Sequence, residues 1–141
     1  MKYLISSLVA FLISFSCFSK EVIVEMLNKR EDGQKMVYSE DVVKIDTGDS
    51  IKWVTTSKGH NVEFVAGPSG ATLPKKSGLN KEVTIKFDTP GVYLYVCTPH
   101  KVMGMIGLVV VGNDVSNKNE IAGTKMMGRS KKKLASIIGS I

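Results

Sequence analysis

Between Val22 and Val111 the sequence never sustains a helical period, and this restricts its fold more than any other feature. Short runs rich in β-branched and aromatic residues recur instead. They cover Val22–Leu27, Met36–Tyr38, Val42–Ile45, Ser50–Val54, His60–Phe64, Val83–Phe87, Val92–Cys97 and Ile106–Val111. Ser50-Ile51-Lys52-Trp53-Val54 and Val83-Thr84-Ile85-Lys86-Phe87 alternate apolar and polar residues, as half-buried strands do. Trp53 reads as core. Asp32-Gly33, Thr47-Gly48-Asp49 and Thr89-Pro90-Gly91 are turn sequences, and Gly67–Gly78 is a longer surface connection. About seven or eight short strands without an intervening helix predict an all-β sandwich or barrel. Only the tail differs. Ser116–Ile121 can form a helical turn or two. In Arg129–Ile141, Leu134, Ile137, Ile138 and Ile141 fall at i, i+3, i+4 and i+7. The expectation is a C-terminal helical extension over about 116–141 that packs on the sandwich.

The N-terminus reads as a removable leader. Lys2 is followed by an apolar stretch from Leu4 to Phe18, and Cys17-Phe18-Ser19 suits a cut before Lys20. Residues 1–19 are therefore expected to be a signal peptide and residues 20–141 one exported domain, placed in the periplasm. Export leaves Cys97 as the only cysteine, so no internal disulfide can form. A free thiol in an oxidising compartment calls for an occupant. The full chain carries a net charge of +6, and the leader removes only Lys2 from that balance. Lys75 and Lys76, the run Lys131–Lys133, and Lys58 and Lys101 beside the two histidines hold much of the excess. Nucleic acid is a poor partner for an exported chain, and a stable membrane association is not expected. An acidic protein surface fits better. The chain is expected to be a monomer.

Chemistry concentrates in Cys97-Thr98-Pro99-His100-Lys101-Val102-Met103-Gly104-Met105, a loop between two apolar runs. Thiolate, imidazole and thioether together suit copper, and a blue-copper centre takes two His, one Cys and a long axial Met. The chain has only 2 His, so the second imidazole can only come from His60. Structural zinc wants four Cys or His ligands, one more than the chain offers once Cys17 leaves with the leader. A catalytic zinc would need an acid or base, and nothing in the sequence fixes Glu63, the nearest carboxylate, at the site. A Cys97 nucleophile lacks the helix N-terminus that activates such thiols. Met103 and Met105 compete for the axial position, and spacing alone leaves that choice open. A full ligand set has no open position for a substrate, so an enzyme is not expected. Two functions remain, a one-electron carrier cycling between Cu(II) and Cu(I) and a copper carrier or buffer.

The chain resembles the pseudoazurins, a branch of the cupredoxin family of blue-copper proteins. The matching motifs are Gly59-His60-Asn61-Val62 and Cys97-Thr98-Pro99-His100 followed by Met105, with Met26-Leu27-Asn28-Lys29, Thr89-Pro90-Gly91-Val92-Tyr93 and the helical tail in support. The resemblance implies a Greek-key cupredoxin sandwich holding one type 1 copper. It implies His60, Cys97 and His100 as strong ligands and Met105 as the axial one. It implies that Asn61 ties the two ligand loops together near the Cys97 sulfur, with Met36 and Pro99 near His100. Electrons would pass the His100 edge, within an apolar patch of Pro99, Met103 and Gly104 ringed by Lys58 and Lys101, with Lys35, Lys75 and Lys76 beyond. Implied partners are redox proteins with acidic docking surfaces, a copper nitrite reductase or a c-type cytochrome. The stretch 67–81 resembles the family least.

Overall fold

A computed structural model describes residues 19–141 of the protein. Apart from Ser19, the expected leader lies outside the described residues. Eight strands form two four-stranded sheets: β1 (Glu21–Lys29), β2 (Lys35–Tyr38), β3 (Val42–Ile45), β4 (Ser50–Val54), β5 (Glu63–Ala66), β6 (Val83–Lys86), β7 (Gly91–Val96) and β8 (Ile106–Val111). One sheet runs β2-β1-β4-β6 and the other β3-β8-β7-β5. β1 pairs parallel with β4 and β3 with β8, while the other pairs are antiparallel. This is the expected sandwich. One strand begins later than its sequence suggests. His60–Val62 is loop, and β5 starts at Glu63, because the chain from Gly59 to Val62 bonds to side chains and to the 77–80 segment instead of to a neighbouring strand.

Period-two patterning sets which side chains meet between the sheets. In β1, Val24 and Met26 are fully buried, whereas Ile23, on the opposite face, is 59% exposed. In β4, Ile51 and Trp53 point inward, and Trp53 stacks edge-on against Phe64 and Tyr95 at ring separations of 5.7 and 5.3 Å. β7 and β8 are buried along their whole length. Their faces divide the labour. Tyr93, Tyr95, Cys97, Met105, Val109 and Val111 join the core between the sheets. Val92, Leu94, Val96, Ile106, Leu108 and Val110 face the C-terminal helices. That parity carries Cys97 into the interior.

The helices α1 (Lys118–Ala122) and α2 (Arg129–Gly139) cover the outer face of the β7–β8 pair. The expected stripe is the one used: Leu134, Ile137 and Ile138 are buried, and Ile141 packs beside them. Each such side chain contributes about 1.5–3 kcal/mol of apolar burial. Asn117 ties α1 to the sheet, since its Oδ1 accepts from Val92 N–H and its Nδ2 donates to the Val92 carbonyl, both at 2.9 Å.

The basic run of α2 is not uniform. Lys133 turns inward and pairs with Asp41 at 2.7 Å, while Arg30 reaches the same carboxylate at 3.2 Å. Burial alone would push the Asp41 carboxyl up, but hydrogen bonds from Arg30 and Lys133 outweigh it and hold it below its ordinary 3.8. A group whose folded pKa is depressed contributes stability that is present above its unfolded pKa and lost as pH falls through the folded one. Asp41→Asn is therefore expected to lower the urea midpoint at pH 7 while flattening its fall below pH 4. Parallel acid limbs in the two proteins would refute this.

Candidate metal centre

Two loops at one end of the sandwich build the site. After β7 the chain leaves Cys97 and enters a 3₁₀ helix, Thr98–Met103, where the sequence suggested a plain tight loop. Pro99 in its first turn suits the fixed φ of proline and loses no needed donor. His100 N–H donates to the Cys97 carbonyl at 3.0 Å, and Cys97 N–H to the Met105 carbonyl at 2.9 Å. Gly104 closes the turn at φ 101°, a conformation that favours glycine. The second loop carries His60 and is anchored by Tyr38, whose hydroxyl donates to the Asn61 carbonyl at 2.8 Å.

The loops bring together the three residues that the sequence singled out. His60 Nδ1 and His100 Nδ1 are 3.1 Å apart, and Cys97 Sγ lies 3.7 Å from the first and 3.4 Å from the second. A point equidistant from all three lies about 2.0 Å from each, close to the ordinary length of a metal–imidazole bond and somewhat short for a metal–thiolate one. His60 and Cys97 are fully buried, and His100 is half-buried. Burial, then the neighbouring His100, push the His60 imidazole below its ordinary pKa, so its lone pair stays available. Burial pushes the Cys97 thiol up, although backbone N–H groups of Asn61 and His100 oppose it. A raised thiol is the reverse of an activated nucleophile. The donors fit a soft metal ion.

The surroundings hold these groups in place. Asn28 Oδ1 accepts from His60 Nε2 at 2.8 Å, which puts that proton on Nε2 and leaves Nδ1 to face the site. Asn61 bridges the two loops: its Oδ1 accepts from Thr98 N–H at 2.8 Å and its Nδ2 donates to Thr98 Oγ1 at 2.9 Å. Glu63 is fixed after all, because Thr98 Oγ1 donates to its carboxylate at 2.6 Å. Sequence reasoning also passed over the 77–80 segment. Asn80 brackets His60, its Oδ1 accepting from Gly59 N–H at 2.6 Å and its own N–H donating to the His60 carbonyl at 2.9 Å. Asn80 adopts a left-handed φ of 59°, which asparagine tolerates, and the sequence alone carries no sign of its partner.

Comparison with known proteins agrees with this geometry. Residues 24–112 match the family of copper binding proteins described as plastocyanin/azurin. The pseudoazurin of Methylorubrum extorquens is 46% identical over 69% of this chain and 66% of its own length. That of Paracoccus pantotrophus is 39% identical over 79% of this chain and 77% of its own. The crystal structure of native pseudoazurin from Hyphomicrobium denitrificans superposes with a TM-score of 0.80 at 41% identity, covering 86% of this chain and 98% of that one. The chain belongs to the pseudoazurins. Pseudoazurins and related cupredoxins are electron carriers rather than enzymes.

On the surface of this pseudoazurin, Pro99, Lys101 and Lys58 are exposed, as are Val102 at 46% and Met103 at 40%. Lys35, Lys75 and Lys76 are exposed as well. Gly104 is not part of that face. It is buried, and a side chain there would meet Arg129 and Lys133, because α2 lies across it. Met36 adopts φ 51° and packs half-buried against the cluster that holds Cys97 and Met105. Of the two competing methionines, Met105 is fully buried in that cluster and Met103 faces outward. Among the described residues no helix is long and apolar enough to cross a membrane.

Proposed function

We propose that this chain is a periplasmic one-electron carrier whose His60, Cys97, His100 and Met105 hold one copper ion. The observation that carries the reading is the triangle of two Nδ1 atoms and one Sγ. Copper bound there would cycle between Cu(II) and Cu(I), its potential tuned by the axial ligand and by hydrogen bonding around the Cys97 sulfur. The chain's own residues do the rest. Asn28 orients His60, Asn61 keeps the two loops at a set separation, and the 3₁₀ turn holds Cys97 and His100 three residues apart in sequence on one side of the site. Such a frame keeps the ligands from rearranging between oxidation states. Burial of His60, Cys97 and Met105 leaves the His100 edge as the route for the electron.

Pro99, Val102 and Met103 form the apolar docking face around that edge, with Lys58 and Lys101 in its charged rim. The face suits a brief encounter with the acidic surface of a redox protein, of the kind offered by a copper nitrite reductase or a c-type cytochrome. A copper carrier or buffer needs ready metal exchange, and three fully buried donors argue against it. The signal peptide is proposed to end at Ser19, leaving the domain from Lys20.

The deciding experiment is Cu(II) addition to the mature protein, followed by visible spectroscopy with Cys97→Ser as control. The expected result is an intense blue thiolate-to-copper band that the control lacks. A colourless protein, or equal spectra, would overturn the reading.

A further inference from the structure

Among the described residues Glu63 is the one acidic side chain hydrogen-bonded into the frame of the site, and neither the ligand set nor the docking face uses it. It opens β5 opposite Val96, one position beyond the end of the Asn61–Val62 loop. Phe64 turns into the core, while Glu63 and Val65 face a small cleft walled by Val96, Val102 and Met126, which Lys101 and Lys125 also line. Among the described residues Glu63 makes no ion pair. Its hydrogen-bond donor is the Thr98 hydroxyl at 2.6 Å, a distance typical of charge-assisted bonds. A half-buried carboxylate with a single hydroxyl partner costs free energy, so its place here calls for a reason.

Proton counting supplies one. Thr98 Oγ1 has a single proton, and Glu63 takes it. The hydroxyl oxygen can then only accept, and Asn61 Nδ2 donates to it at 2.9 Å. Asn61 Oδ1 is left for Thr98 N–H at 2.8 Å. The second Nδ2 proton of Asn61 goes to the Ser77 carbonyl at 3.3 Å, so each of these side-chain protons has one acceptor and the direction of every bond in the chain Glu63–Thr98–Asn61 is set. Asn61 follows His60 and Thr98 follows Cys97, so the chain clamps both loops at the residues adjoining two donors.

We infer that Glu63 is a positioning residue that locks the Thr98–Asn61 clamp and, through its negative charge, lowers the reduction potential of the site. The first half concerns the protein alone. The second rests on the copper reading given above. A negative charge near the metal favours the more positive oxidation state, so its removal raises the potential.

Two variants separate charge from hydrogen bond. Glu63→Gln keeps an acceptor for Thr98 but loses the charge. Glu63→Ala loses both. In the metal-free protein, hydrogen exchange of the Asn61 side-chain amide, followed by ¹⁵N NMR, is expected to quicken about tenfold in Glu63→Ala and to stay near the parent rate in Glu63→Gln. In the copper-loaded protein, voltammetry is expected to give a higher potential for both variants. An unchanged exchange rate in Glu63→Ala overturns the clamp role, whatever the metal does. Unchanged potentials in both variants overturn the electrostatic role. If the parent forms no blue centre, the exchange measurement still decides the clamp, so failure of the copper reading is distinguishable from failure of this one.

Discussion

Copper loading is expected to raise the unfolding midpoint by roughly 10–20 °C when the free ion exceeds its dissociation constant about a thousandfold. At that ratio mass action contributes about 4 kcal/mol to the folded state. The increment is large because the donors belong to two loops that the unfolded chain does not hold together. His60 leaves the end of a loop that Tyr38 and Asn80 pin, and Cys97 and His100 come from the turn after β7. The fold has already met the entropic cost of bringing them within 3.7 Å. Residual binding of copper to Cys and His in the unfolded chain would shrink the shift without removing it. Calorimetry of parent, Cys97→Ser and His60→Ala, each with and without the ion, checks the point. The parent should gain most of the increment and the variants little. Equal gains would mean that the three donors do not act as one site.

Gly128→Ala is expected to destabilise the protein by about 3 kcal/mol or more. Gly128 precedes α2 at φ 60° and ψ −139°, a conformation that residues with a side chain rarely adopt. An added Cβ would also collide with the Val102 carbonyl oxygen, which is backbone and cannot swing aside. Two residues further on, the buried Ser130 hydroxyl donates to the Lys101 carbonyl. The start of α2 is thus bonded to the back of the 3₁₀ turn that carries His100. Displacing it should loosen that turn as well as weaken the helix. Gly139→Ala is the matched control. Gly139 ends the same helix, and nothing lies within 4 Å of its added Cβ. It should be neutral or stabilising by up to about 1 kcal/mol. Urea unfolding of both variants gives the test, and equal midpoints would refute the argument.

Much of this molecule was legible one residue at a time. Alternation in β4 and β6 and the apolar runs of β1, β7 and β8 mark strands, because each side chain's choice between water and core is a local preference with a fixed period. The stripe of Leu134, Ile137 and Ile138 marked α2 for the same reason. Cys97, His100 and the two methionines stood out because one short loop holds them, and His60 followed because the chain has no third histidine.

What sequence reasoning missed or misplaced depends on which distant segment arrives. Gly104 looked like part of an open face, yet it is buried because α2 crosses it. Lys133 read only as one of a basic run, yet it pairs with Asp41, distant in sequence. Glu63 looked adrift, yet Thr98 holds it. The sequence by itself determined the sandwich, the apolar stripe of the tail helix and the identity of the donor residues, since periodicity and residue chemistry are properties of the chain. Only the tertiary structure decided that two Nδ1 atoms and one Sγ share a triangle, which methionine is buried beside them, and which carboxylate braces the clamp. Those depend on strand register and on how the loops and helices cross, and distances between segments tens of residues apart have no local signature.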